Sequence, residues 1–162
     1  MKNTIIIRRA ALRDIPRIGQ LLVQVCNVHA AARPDLFIAD KRKYNDEELS
    51  TLIQEHADSS PILVATDETD FVQGYAFCQL HDEQATDNRP ALRSLYLDDL
   101  CVDAQCRGKH IGTQLYGAVR KLAQQHRCHS LTLNVWACNP SAKVFYERQG
   151  LHPLKTYMEE RL

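Results

Sequence analysis

The chain has 162 residues and carries 20 Lys plus Arg against 20 Asp plus Glu, so its formal net charge is zero. That balance excludes the basic excess typical of nucleic-acid binding, and the 44% hydrophobic content excludes a disordered chain. No apolar run approaches the roughly 20 residues of a membrane helix, and the start M-K-N-T-I-I-I-R-R does not fit a signal peptide. We therefore expect one domain over residues 1–162, without a nucleic-acid or membrane partner.

The first elements predicted along the chain are a strand and two helices. Residues 5–8 are β-branched and predict a strand. Asp14 can cap the following helix, which carries an apolar stripe with helical spacing. Asn45 and Glu48 form a capping-box pattern at the start of a short helix that ends near residue 57.

The later elements alternate between strands and helices. In chain order they are strands at residues 61–66 and 71–80, a polar loop at 81–90, a strand at 94–102, a helix at 111–126, a strand at 131–136 and a helix from Pro140 that Gly150 ends. The C-terminal segment L-H-P-L-K-T-Y-M-E-E-R-L can supply one or two closing strands. This order predicts an α/β fold with a mixed, mostly antiparallel central sheet.

The cysteines do not form a recognisable framework. Six are spread along the chain without a C-x-x-C pair, namely Cys26, Cys78, Cys101, Cys106, Cys128 and Cys138. Nothing in the sequence indicates secretion, so we expect reduced thiols and a cytoplasmic location. His126, Cys128 and His129 are close in sequence, but their spacing is not a known ligand geometry, so no metal site is predicted.

A turn between a strand and a helix carries the first chemical signal. Residues 97–112 read L-D-D-L-C-V-D-A-Q-C-R-G-K-H-I-G, so the helix begins directly after a segment rich in Arg, Gly and Lys. A phosphate or pyrophosphate group could bind here. The helix start offers free N–H groups, glycine lets the backbone approach closely, and the two cations supply positive charge. Neither G-x-x-x-x-G-K-[ST] nor G-x-G-x-x-G is present, and a plain cationic surface turn is the alternative.

A second motif follows about 30 residues later. Residues 136–151 read W-A-C-N-P-S-A-K-V-F-Y-E-R-Q-G-L. Together with R-G-K-H-I-G, the pattern N-x-x-A-x-x-F-Y-x-x-x-G-L resembles the GNAT acetyltransferase superfamily. The resemblance implies six to seven strands flanked by about four helices. It also implies an acceptor-side half at residues 1–92 and an acetyl-CoA-binding half at residues 93–162.

The resemblance assigns cofactor-binding residues. The phosphate motif implies Arg107, Gly108, Lys109, His110, Ile111, Gly112 and Thr113. His110 departs from the usual Gly, which is costly if that position needs positive φ. Main-chain groups of Leu100, Cys101 and Val102 are implied to pair with the pantetheine arm, with the Leu100 N–H polarising the thioester carbonyl. Asn139 is implied to contact pantetheine, and it can equally cap the helix before Pro140.

The resemblance also assigns proton-transfer roles. It implies that the Tyr146 hydroxyl lies near the coenzyme A sulfur and can protonate the leaving thiolate, although a core role is the plain alternative. Asp98 ranks first and Asp99 second as the base, because Asp98 shares a strand face with Val102 by period-two counting. Charge-based acceptor binding or simple exposure remains the alternative for both acids.

The predicted function is transfer of acetyl from acetyl-CoA to a primary amine by direct attack in a ternary complex. The alternative is a non-catalytic acyl-CoA-binding sensor on the same fold. The acceptor is a small amine or a polypeptide amine, contacted from residues 28–44 and 81–90. The acids of the second segment and the strand favour a cationic acceptor. The family also implies a homodimer, with apolar contacts from Tyr157, Met158 and Leu162.

Overall fold

The computed structural model describes residues 4–162. Residues 1–3, which begin the segment predicted not to be a signal peptide, lie outside that range. The strands are β1 (Ile6–Arg9), β2 (Ile62–Thr66), β3 (Val72–Glu83), β4 (Leu92–Val102) and β5 (Ser130–Leu133). The helices are α1 (Ile15–Ala32), α2 (Asp46–Gln54), α3 (Ile111–Gln125) and α4 (Pro140–Arg148). Within residues 4–162, no helix is both long and apolar enough to cross a bilayer.

The five strands form one sheet in the order β1-β2-β3-β4-β5. The first four strands pair antiparallel, as short connections along a meander allow. β5 pairs parallel to β4, and this requires a crossover, which α3 supplies. The predicted mixed, mostly antiparallel sheet is confirmed.

The sheet is covered on both faces. Leu115 and Val119 of α3 pack with Leu95 and Ala76 in one buried cluster. Leu22 of α1 and Leu49 of α2 join Val64 and Tyr75 in a second cluster. All five residues of β2 are buried, as expected for a strand between two helical layers. We call the two sides of the sheet the α3 face and the α1–α2 face.

The helix starts agree in part with the sequence patterns. Asn45 and Glu48 form the predicted capping box at α2. Asp14 stands at the N-cap position of α1, but its carboxylate does not cap that helix. It accepts hydrogen bonds from the Arg8 guanidinium, at 2.7 and 2.9 Å, and from the Ala11 N–H. The Asp14 carboxylate therefore binds Arg8 of β1 and the main chain that follows β1, and it does not bind the first turn of α1.

The predicted six to seven strands are wrong, because the sheet formed within residues 4–162 has five. Residues 151–162 follow α4 without forming a helix or a strand. Glu159 and Arg161 of this segment form ion pairs with Arg33 and Asp35 after α1. Leu151 donates its N–H to the Tyr146 carbonyl. Side-chain ion pairs, not strand hydrogen bonds, thus attach the C-terminal segment.

Candidate active site

The site is centred on a gap beside β4. The parallel pairing of β4 with β5 begins at Ser94 and Ser130 and ends at Leu97 and Leu133, although β4 continues to Val102. The N–H of Asp103 donates to the Gln73 carbonyl on the β3 side. Because main-chain direction alternates along a strand, the N–H groups of Leu100 and Val102 point into the gap.

Cys101 is placed differently from its two neighbours. By the same alternation its main-chain groups face β3, with Tyr75 as its partner. Its thiol lies 3.7 Å from the Leu21 carbonyl, and burial raises the thiol pKa to about 12. A thiol held protonated in this way is a poor nucleophile at neutral pH.

A β-bulge positions the two candidate acids. Phe77 pairs with Asp99 and the next residue, Cys78, pairs with Leu97, so Asp98 is the extra residue. The bulge turns both Asp98 and Asp99 toward the α1–α2 face, whereas Val102 packs against the α3-face cluster. The prediction that Asp98 shares a face with Val102 is therefore wrong, since one inserted residue reverses the alternation.

The Asp98 carboxylate joins the strand to the connection between α1 and α2. It accepts hydrogen bonds from Lys43 Nζ at 2.7 Å and from the Tyr44 hydroxyl at 2.8 Å, and only 8% of its side chain is exposed. The Tyr44 ring stacks on Phe77 at 5.2 Å. Both oxygens of Asp98 are thus engaged with side chains of the protein. The sequence gives no signal that Lys43 or Tyr44 binds Asp98, because 55 and 54 residues separate them from it.

The Asp99 carboxyl has an unusual protonation equilibrium. Burial raises its pKa to about 6, against the opposing effects of the Tyr75 hydroxyl and the Lys43 charge. Tyr75 donates its hydroxyl to Asp99 Oδ2 at 2.9 Å. The Leu100 N–H lies close enough to lower the pKa slightly. Asp99 keeps part of its surface exposed, so it can accept a proton from a group in the gap near neutral pH.

The Arg-Gly turn leads into α3 through two left-handed residues. Gly108 has φ 79° and His110 has φ 60°, so the His position does need positive φ. The Gln114 N–H donates to the His110 carbonyl, while the N–H groups of Ile111, Gly112 and Thr113 have no hydrogen-bond acceptor among residues 4–162. Three adjacent free donors at a helix start form an anion cradle.

Two cationic side chains flank this cradle. The side chains of Arg107 and Lys109 are exposed, and Arg107 Nε donates to the Val102 carbonyl at 3.3 Å. A Cβ on Gly112 would lie 3.4 Å from Phe145 of α4 and 3.7 Å from Val102. Glycine at this position therefore lets α4 pack closely against the first turn of α3.

Asn139 begins α4. Its Oδ1 accepts the Ala142 N–H at 3.3 Å and the Ser141 hydroxyl at 3.0 Å, so the predicted capping role is confirmed. Pro140 occupies the first turn. Contact of Asn139 with pantetheine stays a prediction.

Tyr146 lies on α4 between the core and the gap. It packs against the α3-face cluster, with its ring 5.1 Å from Phe145 and 6.4 Å from Tyr116. Its hydroxyl forms no hydrogen bond with any residue the structure describes. Burial, followed by the negative charge of Asp99, raises its pKa and keeps the phenol protonated at neutral pH. The core interpretation and a donor role are both compatible with this position.

Comparisons with known proteins agree with this geometry. The family model of the acetyltransferase (GNAT) family matches residues 24–151. A Bacillus subtilis (strain 168) protein named as a candidate phosphinothricin acetyltransferase, YwnH, is 28% identical over 145 residues, covering 89% of this chain and 82% of the relative.

Solved structures of similar proteins have the same fold. The X-ray structure of a tetramutant of BH1408 from Bacillus halodurans has a TM-score of 0.91 and 29% identity, covering 97% of this chain and 99% of its own. Aminoglycoside N-acetyltransferase AAC(6')-Iy in complex with CoA shares the fold, with a TM-score of 0.72 and 13% identity over 100% and 97% of the two chains. Since the family model spans well over half of the sequence, the chain belongs to the GNAT acetyltransferase family and is an acyltransferase enzyme.

Proposed function

We propose that the protein transfers acetyl from acetyl-CoA to a primary amine, and that the amine attacks the acetyl carbonyl directly in a ternary complex. The observation that carries the proposal is the gap beside β4. The N–H groups of Leu100 and Val102, which have no partner strand, border it, Asp99 lies on the α1–α2 face, and Tyr146 lies on α4. The family membership and the CoA bound to a protein of the same fold support this use of the gap.

The residues present fit a CoA molecule at two separate places. The free N–H groups of Ile111, Gly112 and Thr113, together with Arg107 and Lys109, would hold the pyrophosphate. The main chain of Leu100 and Val102 would pair with the amides of the pantetheine arm, as an added strand pairs with a sheet edge. When bound, acetyl-CoA supplies an acetyl group already activated as a thioester.

Asp99 is our proposed base, ahead of Asp98. An amine has a pKa near 10 in water, so its attacking form requires loss of a proton. Asp99 has a pKa of about 6, no partnering cation in hydrogen-bond contact among residues 4–162, and a side chain that is partly exposed. The oxygens of Asp98 are already bound to Lys43 and Tyr44. Asp98 is therefore a positioning residue that holds the connection between α1 and α2.

Leu100 and Tyr146 complete the proposed chemistry. The Leu100 N–H is directed into the gap, where a main-chain donor can stabilise negative charge on the carbonyl oxygen in the transition state. The Tyr146 hydroxyl is protonated and not engaged by the protein, so it can donate to the departing thiolate. The proton from the amine leaves through Asp99, on the opposite face of the sheet from the Tyr146 cluster.

The experiment must separate this enzyme from a non-catalytic acyl-CoA sensor. Calorimetry with acetyl-CoA measures binding, and a colorimetric thiol assay with a panel of amines measures release of CoA. We expect binding together with thiol release that depends on the amine. Binding with no release above the amine-free rate for any amine would favour the sensor, and no binding would reject the assignment of the gap.

We also propose that the protein is a homodimer that contacts its partner through residues 151–162. Glu159 and Arg161 of this segment are bound to the same chain, while Tyr157, Met158 and Leu162, together with Leu154, are almost fully exposed. We expect light scattering to give twice the chain mass and Met158→Lys to lower it. A wild-type monomer at micromolar concentration would refute this.

A further inference from the structure

An uncovered part of the α1–α2 face lies beside the two acids. β3 is buried from Val72 to Cys78 and becomes partly or fully exposed from Gln79 onward, because α1 and α2 end short of that region. Aromatic and amide side chains occupy the exposed part in two groups of contacts, which Asn134 and Trp136 bring near each other in the segment after β5. We call these two groups the aromatic band and define it by His81, Tyr96, Asn134, Trp136, Phe37 and His29.

Direct contacts hold each of the two parts of the aromatic band together. His81 stacks on Tyr96, with ring centres 5.5 Å apart. The Asn134 amide donates to the Tyr96 hydroxyl at 3.1 Å. Trp136, two residues farther on, meets Phe37 edge to face at 5.1 Å. The band thus crosses from β3 over β4 to the segment after β5 and reaches the connection after α1.

The aromatic band borders the reaction gap. Tyr96 precedes Asp98 by two residues and lies on the same face. If the parallel register of β4 and β5 continued past Leu97 and Leu133, Trp136 would lie opposite Leu100. The pairing ends before that point, so Trp136 flanks the open part of the gap. The band is therefore on the side from which an acceptor can approach Asp99.

The charges next to the aromatic band are already compensated. Asp98 contacts Lys43, Asp82 contacts Arg93 at 2.6 Å, and Asp35 contacts Arg33. These pairs leave no uncompensated carboxylate at those positions for a second ammonium group, and no uncompensated cation for a carboxylate or phosphate. Burial also lowers the pKa of His29, so this ring is neutral at pH 7.

The ion pairs of Asp82 and Asp98 weaken the argument for a cationic acceptor. That argument counted the acidic residues of the loop and strand, but Asp82 and Asp98 contribute no net charge beside the gap. Glu83 lies 4.0 Å from Arg89, and Asp87 is in the loop between β3 and β4. Within β4, Asp99 has no ion pair among residues 4–162 and can receive the proton of one amine. The flat faces of the rings offer apolar contact, and the amides of Asn134 and Gln79 both donate and accept hydrogen bonds.

We infer that the aromatic band is the acceptor-binding surface, and that it selects a single primary amine carried on an uncharged, hydroxyl-bearing ring that has an apolar face. This inference rests on the proposed acetyl transfer. Two sources share the chemistry, an amino sugar and a hydroxylated aromatic amine. A polyamine lacks the ring, and an amino acid carries an anionic group that the band does not compensate.

The experiment uses Trp136, which is the only tryptophan of the chain. Its emission is followed while D-glucosamine, tyramine, spermidine or glutamate is titrated into the full-length protein with CoA present. We expect a saturable change with D-glucosamine, with tyramine or with both, at concentrations at least tenfold below any response to spermidine or glutamate. Equal or tighter binding of spermidine or glutamate would overturn the inference, as would no response to either ring amine.

Variants show whether the response arises at the aromatic band. Asn134→Ala removes an exposed amide, and Tyr96→Ala removes a ring; each should weaken binding of the ring amine about tenfold, or 1.4 kcal/mol. Gln124→Ala, an exposed amide on α3, is the matched control and should bind like wild type. Circular dichroism checks folding of Tyr96→Ala, and Asn134→Ala tests the inference if that variant unfolds. Unchanged binding by a folded variant would overturn it.

Thiol release measured on the same samples separates this inference from the proposed function. Binding of a ring amine without acetyl transfer supports the aromatic band and contradicts the transfer reaction. Transfer to spermidine or glutamate without preference for a ring amine supports the reaction and overturns the band. Transfer to a ring amine with the expected loss in Asn134→Ala supports both.

Discussion

On the α3 face, the candidate site consists mainly of main-chain groups from one continuous segment, residues 98–113, whereas on the α1–α2 face it consists of side chains that are distant in sequence. Tyr75 and Asp99 are 24 residues apart, and Lys43 and Asp98 are 55 apart. A main-chain anion site needs glycine, a turn and a helix start, which are local properties. A side-chain site depends on tertiary contacts, so its members can vary without changing the fold.

The largest effect should come from the α1–α2 face. Asp99→Asn removes the proposed base while keeping the shape of the side chain and an acceptor for Tyr75. We expect kcat/KM to fall about 10³-fold, within the range for loss of general base catalysis. Asp98→Asn is the matched control, because it keeps an acceptor for Tyr44 and should change kcat/KM less than tenfold. Equal losses in the two variants would show that the carboxylates act only through local charge.

Tyr146→Phe tests the α3 face of the gap. The ring and its packing stay, and only the hydroxyl is lost. We expect kcat to fall about 10²-fold with little change in the acetyl-CoA dissociation constant, because the donor acts mainly in the transition state. Unchanged kcat in the folded variant would leave Tyr146 as a core residue and assign protonation of the thiolate to water.

Gly112→Val tests the main-chain cradle. A branched side chain here would meet Phe145, since a Cβ alone comes within 3.4 Å of that ring. We expect calorimetry to show acetyl-CoA binding weakened about tenfold, or 1.4 kcal/mol. Gly117→Val on the same helix is the control, because a Cβ there meets no atom within 4 Å. If both variants bind acetyl-CoA like wild type, the start of α3 is not the phosphate site.

The smallest effect concerns the contact between Asp98 and the connection after α1. Tyr44→Phe removes one hydrogen bond to Asp98 and should lower the free energy of unfolding by about 1 kcal/mol, with kcat changed only a few-fold. Tyr116→Phe is the control, because the Tyr116 hydroxyl has no hydrogen bond within the described chain and that variant should keep its denaturation midpoint. A kcat loss for Tyr44→Phe as large as that for Asp99→Asn would assign Tyr44 to the proton path.

The sequence predicted the local features of this molecule well. The order of helices and strands, the capping box at Asn45 and Glu48, and the cap at Asn139 all follow from short patterns. The turn at Arg107 and Gly108 and the start of α3 at Ile111 were predicted for the same reason, and their use as a phosphate site stays a prediction. Each of these depends on residues within about one helical turn of one another.

The errors have a common physical origin. Period-two counting placed Asp98 on the wrong face, because a bulge depends on pairing with β3 and leaves no signal in β4 alone. The C-terminal segment has strand-like composition, but its ion pairs with Arg33 and Asp35 could not be foreseen. The aromatic band likewise joins residues from four separate segments, so no single stretch of sequence reveals it.

The pH dependence of kcat/KM for the wild type beside Asp99→Asn tests the central claim most directly. A base must be deprotonated to act, so activity should rise with pH through the Asp99 pKa of about 6. Ionisation of the amine substrate also changes kcat/KM with pH, but this contribution is the same for the wild type and for Asp99→Asn. We predict a limb near pH 6 in the wild type and its loss in Asp99→Asn. Profiles of the same shape for the two proteins would contradict the assignment of Asp99 as the base.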